Sequence, residues 1–463
     1  MLAKWESTHT DKAFFALLCI YLAVLGLTGG ASRADEPGQI VVVVAAAIVL
    51  LVAGAGLAVG DWRQLGAVHL FVLAAFALVL VQLIPLPPGL WTRLPGRPVF
   101  AEAMTGADIE IGWHALSLTP DATLFAVLAF APLFAVLALM LRLSGPFRAL
   151  VPGALLVLIA AGALLAMVQV ATGTPYFYRI ANFGEATGSF ANRNHFALFT
   201  ALSLPLLAVW AVSPPREGGA VQLRPILAGV AAITVVALLL VAGSRGGLLV
   251  GLVGCLLGLL IWSARSGRVR RGRLLLGAAV GLAVAVLLTA VFSAQSRDLA
   301  LARIVASEDD GIRANINRAI LPMIGDYLPF GSGFGSFASV YKLYEPLETL
   351  GPRYANQAHN DLLQIVLEGG LPALALLAAF GVWFLQRSLR VWRGLEGGPT
   401  ARSSRGYAAF APQTLQLGQA GSAMIVMIGI MSAFDYPLRT PLVATVFVLA
   451  MAWLEAGAMA RKS

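Results

Sequence analysis

Long apolar segments separated by short polar stretches make up most of this chain. A helix needs about 20 apolar residues to cross roughly 30 Å of hydrocarbon, and many of the segments approach that length. The pattern therefore predicts an all-α integral membrane protein with about twelve transmembrane helices, in which residues 1–463 form a single polytopic domain. The predicted spans lie near residues 13–30, 40–59, 66–86, 121–142, 149–172, 194–213, 225–243, 246–262, 274–293, 371–387, 419–435 and 440–458.

One polar segment is much longer than the others, because residues 294–370 lie between the ninth and tenth predicted spans. A segment so rich in polar and charged residues belongs outside the hydrocarbon. Within it, Gly311–Ile324 repeats apolar side chains at helical spacing, and the glycines of Phe330–Phe337 predict a turn. Phosphate binding by the amides of this turn is one interpretation, but a plain structural turn is favoured. We expect one large outer loop that carries short helices.

Composition and charge exclude a soluble globular protein and set the expected orientation. Charged residues make up 12% of the chain, against about 25% in soluble proteins. The net charge of +9 is compatible with nucleic-acid binding, but the basic residues cluster in loops between spans, as they do in cytoplasmic loops. We therefore expect both termini in the cytoplasm, the long loop outside, and no nucleic-acid partner. The two clusters are Arg265, Arg268, Arg270, Arg271 and Arg273, and Arg387, Arg390, Arg393, Arg402 and Arg405.

The sequence offers few groups that would hold a metal or a cofactor. Cys19 and Cys255 lie inside apolar segments, where a small buried thiol is the expected role. The chain has no DxD-type acidic cluster, no Cys/His metal spacing, no Walker motif and no GxSxG elbow. We predict neither a metal site nor a cofactor.

Four consecutive hydrogen-bonding residues, Asn192 to His195, begin the sixth predicted span. A helix cap needs one such residue, and a snorkelling arginine explains a second. Because these roles do not explain four in a row, we expect Asn192, Arg193 and His195 to bind substrate.

Arg245 lies between two strongly apolar stretches. An arginine at the centre of a membrane helix costs on the order of 2.5–3.5 kcal/mol on insertion scales, and less near the edge. Snorkelling to the interface is one explanation. The flanking glycines, Gly246 and Gly247, favour a second, in which an open backbone lets an anion approach the guanidinium.

The long outer loop adds three candidate binding residues on its predicted helix. Arg313 and Asn317 are four residues apart, so they share a face, and Arg318 follows directly. We expect all three to contact the substrate.

The sequence His359-Asn360-Asp361 opens an apolar helical stretch that stops at Gly369-Gly370. Near a helix N-terminus the dipole disfavours a protonated ring, which keeps His359 available as a base. The alternative is a helix cap at Asn360 or Asp361 with His359 as an ordinary loop residue. We favour a catalytic role for His359 and a substrate-binding role for Asn360. In the last outer loop, we expect Asp435 and Arg439 to pair.

The outer face thus combines arginines, histidines and amides beside a bilayer. Arginines without a metal suit a diphosphate whose developing charge is stabilised by fixed guanidinium groups. ATP is not supplied outside the cytoplasm, so the substrate has to arrive already activated. A lipid-linked sugar diphosphate meets these conditions, with a histidine as the base that deprotonates an acceptor hydroxyl.

The order of these motifs resembles that of the O-antigen ligase/polymerase superfamily. The matching elements are Ser244-Arg245-Gly246, the helix from Arg313 to Arg318 with the glycine turn after it, and His359-Asn360-Asp361 followed by Glu368-Gly369-Gly370. The resemblance runs through about residues 170–440, and Gly188–Phe196 is similar to a motif of a bacterial subset. Family members carry an aromatic residue after Arg313 where this chain has Asn317.

The resemblance implies a metal-independent, inverting glycosyltransferase with a C-type membrane fold. Its donor would be an undecaprenyl-diphosphate-linked glycan at the periplasmic face of the bacterial inner membrane. Arg245 and Arg313 would contact the diphosphate, and His359 would act at the acceptor as base or orienting group. The roles given to Arg193 and His195 come from local chemistry rather than from the resemblance.

Three functions remain open from the sequence. We favour a polymerase of O-antigen or exopolysaccharide repeat units in polysaccharide biosynthesis. The first alternative is a ligase that transfers the glycan to lipid A-core in lipopolysaccharide synthesis. The second is a lipid-linked glycan transporter, which the lack of an internal repeat disfavours. The expected partners are the donor, a glycan or lipid A-core acceptor, membrane lipids and a chain-length regulator.

Overall fold

The structure is a computed structural model that describes residues 2–213, 223–266, 309–347, 355–393 and 411–460. This part of the chain is helical except for turns, loops and one short antiparallel strand pair, β1 (Pro85–Leu86) with β2 (His114–Ala115). The α-helices before residue 213 are α1 (Leu2–Thr28), α2 (Pro37–Val49), α3 (Val59–Trp62), α4 (Ala67–Val81), α5 (Pro88–Trp91), α6 (Pro98–Gly106), α7 (Pro120–Leu128), α8 (Ala131–Arg142), α9 (Gly145–Arg148), α10 (Val151–Thr172), α11 (Arg193–Ala201) and α12 (Ser203–Val212).

The second half of the described chain contains seven further α-helices. A π-helical turn, Leu50–Gly54, extends α2, and 3₁₀ turns occupy Arg63–Leu65 and Pro437–Arg439. The helices are α13 (Leu223–Ala242), α14 (Arg245–Ser266), α15 (Asp309–Tyr327), α16 (Phe337–Tyr341), α17 (Asp361–Trp392), α18 (Ala411–Ser432) and α19 (Pro441–Met459).

Ten helical segments in the described residues are long and apolar enough to cross a membrane, and a bent pair forms an eleventh candidate. They correspond to eleven of the predicted spans, including the closely spaced pair α13 and α14. The span predicted at 274–293 lies outside the described residues. An all-α membrane fold is therefore confirmed.

Two spans differ from the hydropathy pattern. The third is bent by 110° between Val59–Leu65 and Ala67–Val81, at Gly66, whose φ is +60°. A Cβ there would lie 2.4 Å from an oxygen of Glu455, so this close approach requires glycine. The tenth is continuous with the predicted helical stretch from Asp361, and the two helices meet at Gly370, where that stretch was expected to stop and where a φ of +62° is not helical.

The hairpin of α18 and α19 lies at the centre of the bundle. In each, 72% of the residues in the most apolar window are buried, against 22% for the outer span Pro37–Gly54. Helix α18 packs against α12, α14 and α17, and α11 packs against α14. The loop between α18 and α19 therefore meets the ends of α11, α14 and α17.

One end of the bundle carries the longer connections, and we call it the site face. It contains the segments 29–36, 82–119, 173–192, 328–347 and 433–440. Backbone hydrogen bonds tie them together, as from Leu118 to Ser332 and from Ala191 to Gly30. Within the long loop, α15, α16 and the start of α17 share a second small core that includes Ile316, Ile320, Met323, Tyr327, Phe337 and Leu367.

Candidate functional site

A cavity of about 240 Å³ opens at the site face, and we call it the polar cavity. Four chain segments that are far apart in sequence line it, which explains why its polar groups appear as separate motifs along the chain. The lining residues are Asn182, Glu185, Asn192, Arg193, Asn194, Gly243, Arg245, Gly246, His359, Met431, Phe434, Asp435 and Tyr436.

Asp435 is the fully buried acid of this cavity. Its Oδ2 accepts a hydrogen bond of 2.6 Å from Asn194 Nδ2, and its Oδ1 accepts one of 3.0 Å from the Tyr436 amide. Oδ1 also lies 3.3 Å from His359 Nδ1 and 3.8 Å from His195 Nε2. Burial alone would raise the pKa of Asp435, but the interactions with both histidines outweigh it and hold that pKa well below its usual range.

The position of Asp435 was not predicted from the sequence, where we expected it to pair with Arg439. The guanidinium of Arg439 lies instead 3.0 Å from Glu368 Oε2 and 3.4 Å from Asp361 Oδ1. Burial lowers the pKa of Arg439, but Glu368 and Asp361 outweigh it and raise that pKa. The only sequence signal for Asp435 was an acidic residue in a short loop between two apolar spans.

His359 has an unusual backbone, with a φ of +52°. Few residues other than glycine adopt this conformation, and here it turns the ring toward Asp435. Its side chain is 20% exposed and lines the polar cavity. His359 therefore both faces a carboxylate at 3.3 Å and is accessible to a ligand.

Asn360 caps α17 and does not line the polar cavity. Its Oδ1 accepts a hydrogen bond from the Leu363 amide at 3.0 Å, and its Nδ2 donates to the Ala433 carbonyl at 3.1 Å. The capping alternative therefore accounts for Asn360, which also connects α17 to the loop that carries Asp435.

The polar residues at the start of α11 have separate roles. Asn192 caps the helix by accepting a hydrogen bond from the Asn194 amide at 2.8 Å. Arg193 pairs with Glu185 at 3.0 Å, and both side chains face the polar cavity. Asn194, which the sequence analysis did not select, connects Asp435 to the Ser244 hydroxyl. His195 is buried and lies behind the lining residues.

Arg245 is the first residue of α14 and lines the polar cavity. The glycines after it serve close helix packing, which differs from the open backbone that we expected. A Cβ at Gly246 would lie 2.8 Å from Met431 Sδ, and one at Gly247 would lie 2.4 Å from Ala197 Cβ. Close packing against α11 and α18 therefore places Arg245 at the rim of the cavity.

The three binding residues predicted on the long loop are located in α15. Arg313 and Asn317 belong to this helix, but their side chains lie outside the described part of the structure. Arg318 is exposed, lies 3.4 Å from Asn315 Oδ1, and does not line the polar cavity.

At the centre of the glycine-rich turn, the backbone amides already donate hydrogen bonds within the protein, so they are not available to a phosphate. The amides of Gly331, Ser332 and Gly333 donate to the carbonyls of Tyr327, Leu367 and Glu368. The favoured interpretation of a plain turn therefore agrees with these contacts. Arg97, fully buried, donates to the Gly331 carbonyl at 2.9 Å and so fastens the 82–119 loop to the turn.

A second, larger cavity of about 870 Å³ is lined mainly by apolar side chains, and we call it the apolar cavity. Helices α4, α7, α8, α17, α18 and α19 contribute to it, and its polar residues include Asp35, Gln357 and Arg439. Met431 and Phe434 to Tyr436 face the polar cavity, whereas Ser432, Leu438 and Arg439 face the apolar one. One loop therefore separates the two cavities.

Comparison with known proteins agrees with the motif order. A search among curated proteins finds no match to the chain. Residues 230–396 match the family model described as O-antigen ligase, a stretch that includes Arg245, α15 and His359. This match supports, for residues 230–396, the resemblance to the O-antigen ligase/polymerase superfamily that the order of the motifs indicates.

Proposed function

We propose that this protein is a glycosyltransferase that polymerises repeat units of O-antigen or exopolysaccharide. Its donor is a glycan linked to undecaprenyl diphosphate, used at the periplasmic face of the inner membrane. The observation that carries the proposal is the polar cavity, where Arg193 and Arg245 line the same space as His359, itself held by Asp435.

Arg245 fits the donor's diphosphate, whereas the charge of Arg193 is compensated by Glu185. A guanidinium binds phosphate oxygens through paired hydrogen bonds and stabilises charge that develops on the leaving group. Arg245 lies at the N-terminus of a 22-residue helix, whose dipole also favours an anion. Arg313 is the further diphosphate ligand that the family resemblance implies.

His359 fits the role of base at the acceptor. Its Nδ1 faces Asp435, which leaves Nε2 as the nitrogen that can take a proton from the acceptor hydroxyl. As that proton moves to Nε2, the acceptor oxygen forms a bond to the anomeric carbon of the donor. The bond from that carbon to the diphosphate breaks, and the lipid diphosphate leaves with the electron pair. Attack opposite the leaving group inverts the anomeric centre.

The apolar cavity fits a hydrocarbon chain of a lipid-linked substrate. Its walls are mainly apolar, and the charge of Arg439 at its edge is already compensated by Asp361 and Glu368. A diphosphate gains little there, so we place the lipid chain in this cavity and the phosphates in the polar one.

A ligase that transfers the glycan to lipid A-core is the second candidate, which the description of the matching family favours. Both reactions use the same donor chemistry, so the acceptor alone separates them. The family match favours either reaction over transport without bond formation.

Glycan transfer in vitro tests the proposal. Purified protein is incubated in EDTA with an undecaprenyl-diphosphate-linked repeat unit, with and without lipid A-core. We expect longer lipid-linked chains without lipid A-core. We also expect a loss of at least about 100-fold in Arg245→Ala, the range for a lost charge-stabilising group, and in His359→Ala, the range for a lost general base. Arg179→Ala, an exposed site-face arginine outside the polar cavity, is the matched control and retains activity.

Each of the other outcomes would contradict a specific part of the proposed function. Product that requires lipid A-core makes the protein a ligase. Movement of labelled lipid-linked glycan across liposomes without a new glycosidic bond makes it a transporter. Full activity in Arg245→Ala or His359→Ala would show that the polar cavity is not the reaction site.

A further inference from the structure

His195 is a buried histidine that the polar cavity does not use directly. Its side chain is 1% exposed and is not among the lining residues. Its Nε2 has no hydrogen-bond partner among the described residues and faces Asp435 Oδ1 at 3.8 Å. A buried polar nitrogen left without a partner is costly, so this position calls for an explanation.

The same carboxylate oxygen faces both histidines. Asp435 Oδ1 lies 3.3 Å from His359 Nδ1 on one side and 3.8 Å from His195 Nε2 on the other. The Tyr436 ring stands at steep angles to both imidazoles, 82° to His195 and 66° to His359, with centroids 5.1 and 4.9 Å away. The two rings therefore share one anion and one aromatic neighbour, and neither can move without affecting Asp435 or Tyr436.

We propose that His195 is a positioning residue that acts through Asp435 and does not contact substrate. Its Nε2 faces Oδ1 at 3.8 Å, a polar contact longer than a hydrogen bond, while Asn194 donates a hydrogen bond to Oδ2, and together they orient the carboxylate toward His359. This proposal rests on the proposed function, since it gives the base of that reaction a second support. It replaces our sequence-based expectation that His195 binds substrate.

Among the described residues, other charged groups lie around this group, and they include the buried Asp361 carboxylate, which also interacts electrostatically with His195. Arg193, its partner Glu185, and Arg245 line the same cavity. The Asp361 amide donates to the Asp435 carbonyl at 3.3 Å, so the backbone of α17 also holds the loop. A change of the His195 side chain therefore acts on Asp435 and on Asp361.

Two substitutions of His195 separate the effect of its polar Nε2–H group from the effect of the volume of its ring. His195→Phe keeps an aromatic ring but removes the donor, whereas His195→Gln keeps an N–H donor. We expect His195→Phe to lower kcat at least about tenfold while the KM for the lipid-linked donor changes less than about threefold. His195→Gln recovers much of that loss. Thr200→Val, which alters another buried side chain of α11, is the matched control and leaves kcat unchanged.

The pH dependence gives a second readout. The pKa of Asp435 is held low by donors that include His195, while burial acts in the opposite direction. Without that donor the pKa of Asp435 rises, so the carboxylate takes up a proton at higher pH. The acid limb of the kcat profile of His195→Phe therefore moves to higher pH, and that of His195→Gln moves less.

Several results would overturn this role. A raised donor KM with unchanged kcat in His195→Phe would mean that His195 binds substrate. An unchanged kcat and acid limb would mean that the ring only fills space, and equal losses in the Phe, Gln and Thr200→Val variants would point to damaged packing of α11. Failure of the proposed function looks different, because the unsubstituted protein then forms no glycosidic bond.

Discussion

One substitution can remove the charge of the Asp435 side chain and keep its shape. Asp435→Asn keeps the size of the side chain and removes the anion that faces His359 at 3.3 Å. We expect kcat for glycan transfer to fall by roughly 100-fold, because the imidazolium formed during the reaction loses its counter-charge. Steady-state kinetics with the lipid-linked donor measures the effect.

Asp108→Asn is the control for that exchange. Asp108 is exposed on the 82–119 loop and has a φ of +55°, a conformation that asparagine tolerates well. The Asp108→Asn variant should retain full glycan-transfer activity. If Asp435→Asn is as active as this control, then Asp435 has no electrostatic role in the reaction.

Individual residues were predicted from sequence where their chemistry was out of place in a membrane segment. Arg193 and Arg245 stood out for that reason, His359 stood out near a predicted helix N-terminus in the outer loop, and the structure brings all three to one cavity. Asp435 did not stand out, because its partner Asn194 lies 241 residues away and no local pattern connects them. The burial of His195 was equally hidden, since the side that a helical residue presents depends on neighbours that only the fold supplies.

At the scale of elements, a substitution in the glycine-rich turn tests whether the turn serves packing or phosphate binding. Gly331 has a φ of +80°, and a Cβ there would lie 2.4 Å from the Glu368 carbonyl oxygen. Gly331→Ala should lower the free energy of unfolding by about 1–3 kcal/mol, the range for backbone held in a disfavoured region. Thermal unfolding of the purified protein in detergent measures this loss.

Gly325→Ala provides the comparison from the same part of the chain. Gly325 lies inside α15 with no atom within 4 Å of an added Cβ, so alanine should leave stability unchanged or raise it by up to about 1 kcal/mol. A turn that binds phosphate would give another pattern, in which Gly331→Ala raises the donor KM and leaves thermal stability intact.

Helix positions were predicted well and helix shapes poorly. Hydropathy finds segments that face lipid, so the spans were located close to their observed positions. The helical stretch from Asp361 was also predicted, but hydropathy did not join it to the span from 371, because its two turns bury Gln364 and Glu368 among polar partners. Nor could it find the bend at Gly66, which depends on the approach of Glu455 from the last helix.

At the scale of the whole molecule, the site face and its opposite should differ in accessibility. Trp113 is 67% exposed on the site face, and Val59 is 77% exposed at the other end of the bundle. In a background with Cys19→Ala and Cys255→Ala, an impermeant maleimide added to spheroplasts should label Trp113→Cys and leave Val59→Cys unlabelled until the membrane is opened.

This labelling tests the proposed orientation, which rests on the distribution of arginine and lysine between loops. The reverse pattern would place the polar cavity in the cytoplasm, and a periplasmic reaction would then be wrong. Equal labelling of both variants in spheroplasts would contradict the arrangement of the spans itself.

The polar cavity draws on chain from both sides of the family-matched region, since Arg193 precedes residue 230 and Asp435 follows residue 396. Synthesis proceeds from the N-terminus, so the hairpin of α18 and α19 enters the membrane after every other part of the site. In a nascent chain, Arg193, Arg245 and His359 are therefore made before Asp435, the carboxylate that faces His359. If the proposed function holds, this order of synthesis means that an incomplete chain does not turn over lipid-linked glycan while it is being inserted into the bilayer.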